Sequence, residues 1–203
     1  TLKHYVEVLL DSPEFFVMFW NSVKITAGAL AGGLLVGMPG AWGFAKFDFF
    51  GKNILFTLYI ALMMMPFQVM LLGNYLVLDK IGLLDSLLGI IFPAVFSTFP
   101  IIMYRFFKGI PQAFLEAARL DGAGELRLFF IVAIPLGSPG VISAIVLGFL
   151  EYWNLIEQPM VFLKTKELWP LSLYLPNIEL EQAGFAFAAS VVALAPAVLV
   201  FLS

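Results

Sequence analysis

The chain has 203 residues, 62% of them hydrophobic and only 12% charged, with a formal net charge of −3 and no cysteine. A mean hydropathy of +0.99 excludes an ordinary soluble domain, which exposes far more charge. The acidic balance gives no footing for nucleic-acid binding, and the lack of cysteine removes disulfides, thiolate catalysis and cysteine metal sites.

Apolar runs of about 20 residues recur, the length that crosses a hydrocarbon core. They are continuous rather than alternating, which predicts an all-α polytopic membrane protein and not a β-barrel. Thr1–Pro13 is polar, with no cleavable leader, and reads as the interior of a longer chain. Five spans are predicted, at about 15–44, 53–72, 86–107, 134–156 and 184–203, within one permease-like domain covering 1–203. The first carries Gly28, Gly32, Gly33 and Gly37, a small-residue spacing that lets helix backbones approach closely. Pro66 stands near the end of the second, Pro93 and Pro100 lie in the third, and Pro196 in the fifth. Each proline implies a local kink, serving either bundle packing or a hinge. The last run reaches Ser203 without flanking charge, so the chain is expected to continue.

Lysine and arginine set the orientation. Lys46, Lys52, Arg105, Lys108, Arg119 and Arg127 share one side; Lys3, Lys80, Lys164 and Lys166 share the other. The richer side is read as cytoplasmic. That places the loop at 108–133 inside and the loop at 159–183 outside. Glu7, Asp11, Glu14, Asp79, Asp85, Glu157, Glu167, Glu179 and Glu181 all fall outside. Lys24 and Arg105 are read as snorkelling, and His4, the only histidine, is given no role.

The inner loop is the polar island of the chain. Pro111 suits a first helical turn, and Gln112 to Leu120 are good helix formers. Gly122 and Gly124 supply a stop and turn, and a second short helix is predicted over about 125–132 before Pro135. Phe114 and Leu115 are expected to anchor the first helix. Ala117 and Ala118 leave one surface bare for a partner, Glu116 offers a carboxylate, and Asp121 braces the turn. A plain amphipathic connector is the competing reading of this segment.

Within the fourth span, Glu151, Tyr152, Trp153 and Asn154 join a carboxylate, an amide and two aromatic faces, the groups a polyhydroxy solute uses. A carboxylate at membrane depth faces protein or water. The other reading makes Tyr152 and Trp153 an interfacial belt, with Glu151 capping a helix pair. Gln68 and Asn74 are further candidates for a translocation path. The outer segment from Lys164 to Glu181 reads as a contact surface or a re-entrant packing loop. No phosphate-binding loop is present: Gly51-Lys52 lacks the upstream glycine and runs into Asn53. No set of His, Asp and Glu suggests a metal or catalytic centre.

Glu116-Ala117-Ala118, then Asp121-Gly122-Ala123, then Ile134-Pro135-Leu136 together resemble the EAA loop of ABC importer permeases. Phe107-Lys108-Gly109-Ile110-Pro111 upstream and Trp153-Asn154 with Pro159 downstream are similar to the sugar-importing, MalG-like branch. Asn21-Ser22, Pro66 and Asn74-Tyr75 fit more loosely. Leu155-Ile156-Glu157-Gln158 departs from the acid and aromatic that often follow Trp-Asn there. The resemblance implies a MetI-like permease core, with one N-terminal span and a short tail outside this stretch. It implies ATPase coupling through Phe114, Glu116, Ala117, Ala118, Asp121, Gly122 and Ala123. It further implies a second, MalF-like permease, homodimeric cytosolic ATPases holding ATP and magnesium, and an extracytoplasmic sugar-binding protein in a bacterial or archaeal cell membrane. No cofactor is expected in this subunit. Permeases for amino acids, peptides or phosphonates form the nearer alternative. An ion-driven secondary transporter is more distant, because it needs a carboxylate or histidine relay and only Glu151 lies within a span.

Overall fold

The computed structural model describes residues 2–96, 100–178 and 182–202, and every regular element among them is helical. A short helix, Leu2–Val6, and a π-turn, Glu7–Asp11, lead into α1 (Pro13–Lys46). Pro13 takes the first turn, where its missing N–H costs nothing. With 34 residues at 1.5 Å each, α1 is about 51 Å long.

The second predicted segment falls on two helices, α2 (Lys52–Met63) and α3 (Phe67–Lys80), whose axes differ by 101°. Pro66 forces the break, since it removes a backbone donor and pushes Met65 away from helical geometry. The third predicted segment divides into α4 (Leu87–Val95) and α5 (Pro100–Gly109), and residues 97–99 between them lie outside the described residues. Ser86 starts α4, its hydroxyl accepting from the Gly89 N–H at 3.2 Å.

The inner loop forms α6 (Gln112–Leu120) and α7 (Glu125–Leu128). The second helix predicted there stops at Leu128 and gives way to a π-turn, Phe129–Ala133, and a short turn, Ile134–Leu136. The following helix, α8 (Ser138–Trp153), is bent 73° from that approach. It therefore starts at Ser138 rather than near Ile134. The elbow needs Gly137, because a Cβ there would come 2.8 Å from the Ala133 carbonyl and collide with the Phe107 ring. On the outer side lie α9 (Glu157–Phe162), the turn Lys166–Leu168 and the short helix Leu171–Tyr174. The chain ends in α10 (Ala183–Leu202). Glu179 and Glu181, read as external acids, lie outside the described residues.

By length and apolarity, α1 and α10 cross a membrane unaided; each bent pair, α2–α3 and α7–α8, adds a span if its halves count as one. The small residues of α1 are used inside the chain. A Cβ on Gly28 would lie 2.8 Å from Ile91 Cδ1, and one on Gly32 would overlap Val95. Thus α4 lies against α1 at the close range that small side chains permit. Large apolar side chains such as Leu35, Ile54, Leu58, Leu72, Leu199 and Phe201 face outward, as a lipid solvent favours.

Candidate functional site

The inner loop is built by a local rule. Helix α6 closes with Gly122 at φ +82°, a left-handed conformation that glycine adopts without strain. The Gly122 N–H donates to the Arg119 carbonyl at 3.0 Å, and the Ala123 N–H reaches back to Ala118 O at 3.0 Å. That pair of bonds is the Schellman motif, bounded by Ala118 and Ala123. Both pack on the inner core. The paired alanines therefore divide: Ala118 turns inward and Ala117 stays exposed.

The platform beneath consists of Trp42, Phe107, Phe129, Leu115 and Leu128. Leu115 and Leu128 are fully buried, each contributing roughly 1.5–3 kcal/mol relative to exposure. Trp42 meets Phe107 at 5.9 Å, edge to face, and Phe129 at 6.2 Å. Of the two expected anchors, Leu115 is buried and Phe114 projects outward, half exposed. Phe114, Glu116, Ala117, Leu120, Asp121 and Leu126 form an exposed surface around the turn. Arg119 pairs with Glu125 at 3.0 Å across it.

Lys46, in the sequence only a topological charge, joins this site. Its ammonium donates to the Ile110 carbonyl at 2.7 Å and to Lys108 O at 3.4 Å, capping the end of α5 where α6 begins. No local sequence signal links residues so far apart in the chain.

The second candidate region lies deeper. The Trp153 Nε1–H donates to Ala193 O at 3.1 Å. Ala193 stands ten residues into α10, so the end of α8 meets that helix about 15 Å along from Ala183. The Tyr152 hydroxyl donates to Ala94 O at 3.3 Å, and Trp153 stacks on Phe149 at 5.4 Å. Both aromatic residues are buried, more enclosed than an interfacial belt would leave them. Glu151 and Asn154 turn the other way and are exposed on the face of α8. Asn154 Nδ2 caps the helix by donating to Leu150 O at 2.8 Å.

Gln68 sits in the first turn of α3, also exposed, and donates to Glu157 at 3.2 Å. Asn74 is partly buried six residues further along α3. A groove of about 650 Å³ opens beside Trp153 and Asn154, walled mainly by Leu171, Leu194, Val198 and Phe201. Its lining is largely apolar, with Asn154 and Ser172 among its few polar members. Glu151 is exposed on α8, and a carboxylate on a membrane-spanning helix requires water or another protein to cover it.

The outer segment after α9 is held by long-range bonds. Asp85, at φ +56°, accepts from the Lys164 N–H at 2.9 Å, the Thr165 N–H at 2.8 Å and the Thr165 hydroxyl at 2.6 Å. The Thr165 hydroxyl, followed by the backbone donors, holds the Asp85 carboxyl below its ordinary value. Its own N–H donates to Phe162 O at 2.9 Å. From α1, buried Asn21 donates to Glu167 O at 2.7 Å and to Trp169 O at 3.2 Å, and Ser22 accepts the Leu171 N–H at 2.8 Å. Among the described residues no group of three His, Asp or Glu side chains is arranged to hold a metal.

Comparison with known proteins shows what the chain as a whole is similar to. The family described as binding-protein-dependent transport system inner membrane component matches residues 29–203. The arabinooligosaccharides transport system permease protein AraQ of Bacillus subtilis is 31% identical over 207 residues, covering 100% of this chain and 73% of that protein. The diacetylchitobiose uptake system permease protein NgcG of Streptomyces coelicolor is 31% identical over 191 residues, covering 90% of this chain and 63% of that one. Among solved structures, a bacterial ABC transporter involved in import of the acidic polysaccharide alginate superposes with a TM-score of 0.85. Its chain is 27% identical; the match covers 98% of this chain and 76% of that one.

Proposed function

Since this chain belongs to the family of binding-protein-dependent transport system inner membrane components, as a permease subunit of an ABC importer, we propose that its cargo is a sugar or oligosaccharide. The observation that carries the mechanism is the exposed face of α6, closed by the Schellman turn and seated on a rigid aromatic platform. Phe114, Glu116 and Ala117 meet a cytosolic ATPase there, while Ala118, Asp121, Gly122 and Ala123 fix the shape of the turn. The ATPases are a separate homodimer that holds ATP and magnesium. This subunit has no ATP site or cofactor of its own and is not an enzyme.

Movement of solute requires two states that the partner binds with different affinity. ATP-driven closure of the ATPases displaces α6, and the rigid platform carries that motion into α5 and α8. A second, MalF-like permease covers the polar face of Glu151, Asn154, Gln68 and Asn74, and the path runs between the two. Tyr152 and Trp153 form the fixed wall behind it. An extracytoplasmic binding protein delivers the sugar at the outer surface of this multi-pass inner-membrane assembly.

The test is transport by the complete complex carrying Glu116→Lys. Charge reversal on the exposed face is expected to lower ATP-driven uptake at least about tenfold, equivalent to about 1.4 kcal/mol of lost docking, while the chain still inserts and folds. Uptake at the parent rate would overturn the assignment.

A further inference from the structure

Helix α1 touches both faces of the molecule at once. Near its outer end, buried Asn21 and Ser22 hold the backbone of Glu167, Trp169 and Leu171. At its inner end, Lys46 holds the carbonyls of Lys108 and Ile110, and Trp42 packs against Phe107 and Phe129. Between Asn21 and Lys46 the helix is continuous, through Pro39, over about 38 Å. Side-chain bonds to backbone carbonyls leave little slack, because the carbonyl moves only with its chain segment. Both contacts are therefore positional, and a single element carries them.

We propose that α1 is a strut that makes the outer loop at 164–171 follow the inner helix α6, with Lys46 and Asn21 as its two positioning residues. The inference rests on α6 being the ATPase-docking helix. Displacement of α6 pulls on Ile110, Lys46 transfers it to α1, and Asn21 with Ser22 passes it to the outer loop. The surface offered outside then reports the nucleotide state inside. Reciprocity requires that a partner seated on the outer loop bias the ATPases in turn.

The chain has no cysteine, so Glu167→Cys gives one labelling point on the exposed outer loop. A spin label there is read in the full transporter complex, resting and after trapping with magnesium-ATP and vanadate. The label is expected to change its spectrum on trapping in the parent. In Lys46→Met the resting spectrum stays that of the parent, because the outer contacts are intact, but the change on trapping falls at least about fivefold. Lys46→Arg, which keeps a donor at the same place, restores it. Asn21→Ala added to Lys46→Met costs nothing further, since the strut is already cut.

If Lys46→Met does not retain its ATPases, Asn21→Ala alone decides: a lost response supports the strut and a parental response overturns it. A full response in ATPase-bound Lys46→Met also overturns it, as does a parent label that ignores trapping. Failure of the parent chain to bind ATPases at all removes the docking reading itself, and the strut with it.

Discussion

The inner loop around α6 and the outer loop after α9 solve the same problem in opposite ways. Each is irregular backbone that must keep one shape. The inner loop is closed by its own neighbours: Gly122 and Ala123 bond three and five residues back, and Ala118 and Ala123 both pack on the inner core. The outer loop is closed by distant residues, with Asp85, Asn21 and Ser22 reaching across as many as 149 positions of sequence. A locally closed loop keeps its shape while the helices around it shift. A loop held from afar changes shape when its holders move. The first suits a handle that a motor grips, and the second suits a surface that must respond.

The contrast is most easily broken at Gly122. Valine there meets φ +82°, which a β-branched residue tolerates poorly, so the turn is expected to lose about 1–3 kcal/mol and the loop its fixed shape. Hydrogen exchange should show opening confined to the inner loop, with the amides of Lys164 and Thr165 unchanged. Ser22→Ala works on the other side. It leaves the buried Leu171 N–H without its acceptor, costing about 1–2 kcal/mol, and exchange should rise at Leu171 while α6 stays protected.

Acid probes the outer clasp in a graded way. The Asp85 carboxyl is depressed in the folded state, so it stabilises the clasp above the ordinary carboxylate value and ceases to as pH falls through the folded value. Protection of the Thr165 amide, corrected for intrinsic exchange, should be flat near neutrality and drop only in strong acid; Asp85→Asn should flatten that dependence. The smallest effect is expected at Arg119→Ala. Its pair with Glu125 is solvent-exposed and worth less than about 0.5 kcal/mol, so thermal stability should hardly move.

The two loops also differed in how well the sequence announced them. Pro111, the helix formers after it and Gly122 are neighbours, and their propensities alone predict the helix, its stop and its turn. Which alanine faces inward was not legible, because the choice between Ala117 and Ala118 depends on Trp42, Phe107 and Phe129 arriving from elsewhere. Gly28 and Gly32 announced a close helix approach, but not that α4 would fill it. The polar quartet at Glu151 was visible as a cluster in the sequence, whereas helical geometry separates it into two buried anchors and two exposed groups. Lys46 and Asp85 carried only generic signals, since a lysine at a helix end or an aspartate in a turn has many uses, and Ser22 entered only through a loose resemblance. Their partners are set by the tertiary fold.

The end of α8 at Trp153 bears on insulation. Beyond it the chain runs on as short helices and irregular backbone, which hydrocarbon alone cannot surround. Their free backbone groups need partners from the protein, and Asn21, Ser22 and Asp85 supply several of them. Sealing this stretch therefore falls to side chains that come from elsewhere in the fold, so losing one opens a polar gap rather than an apolar one.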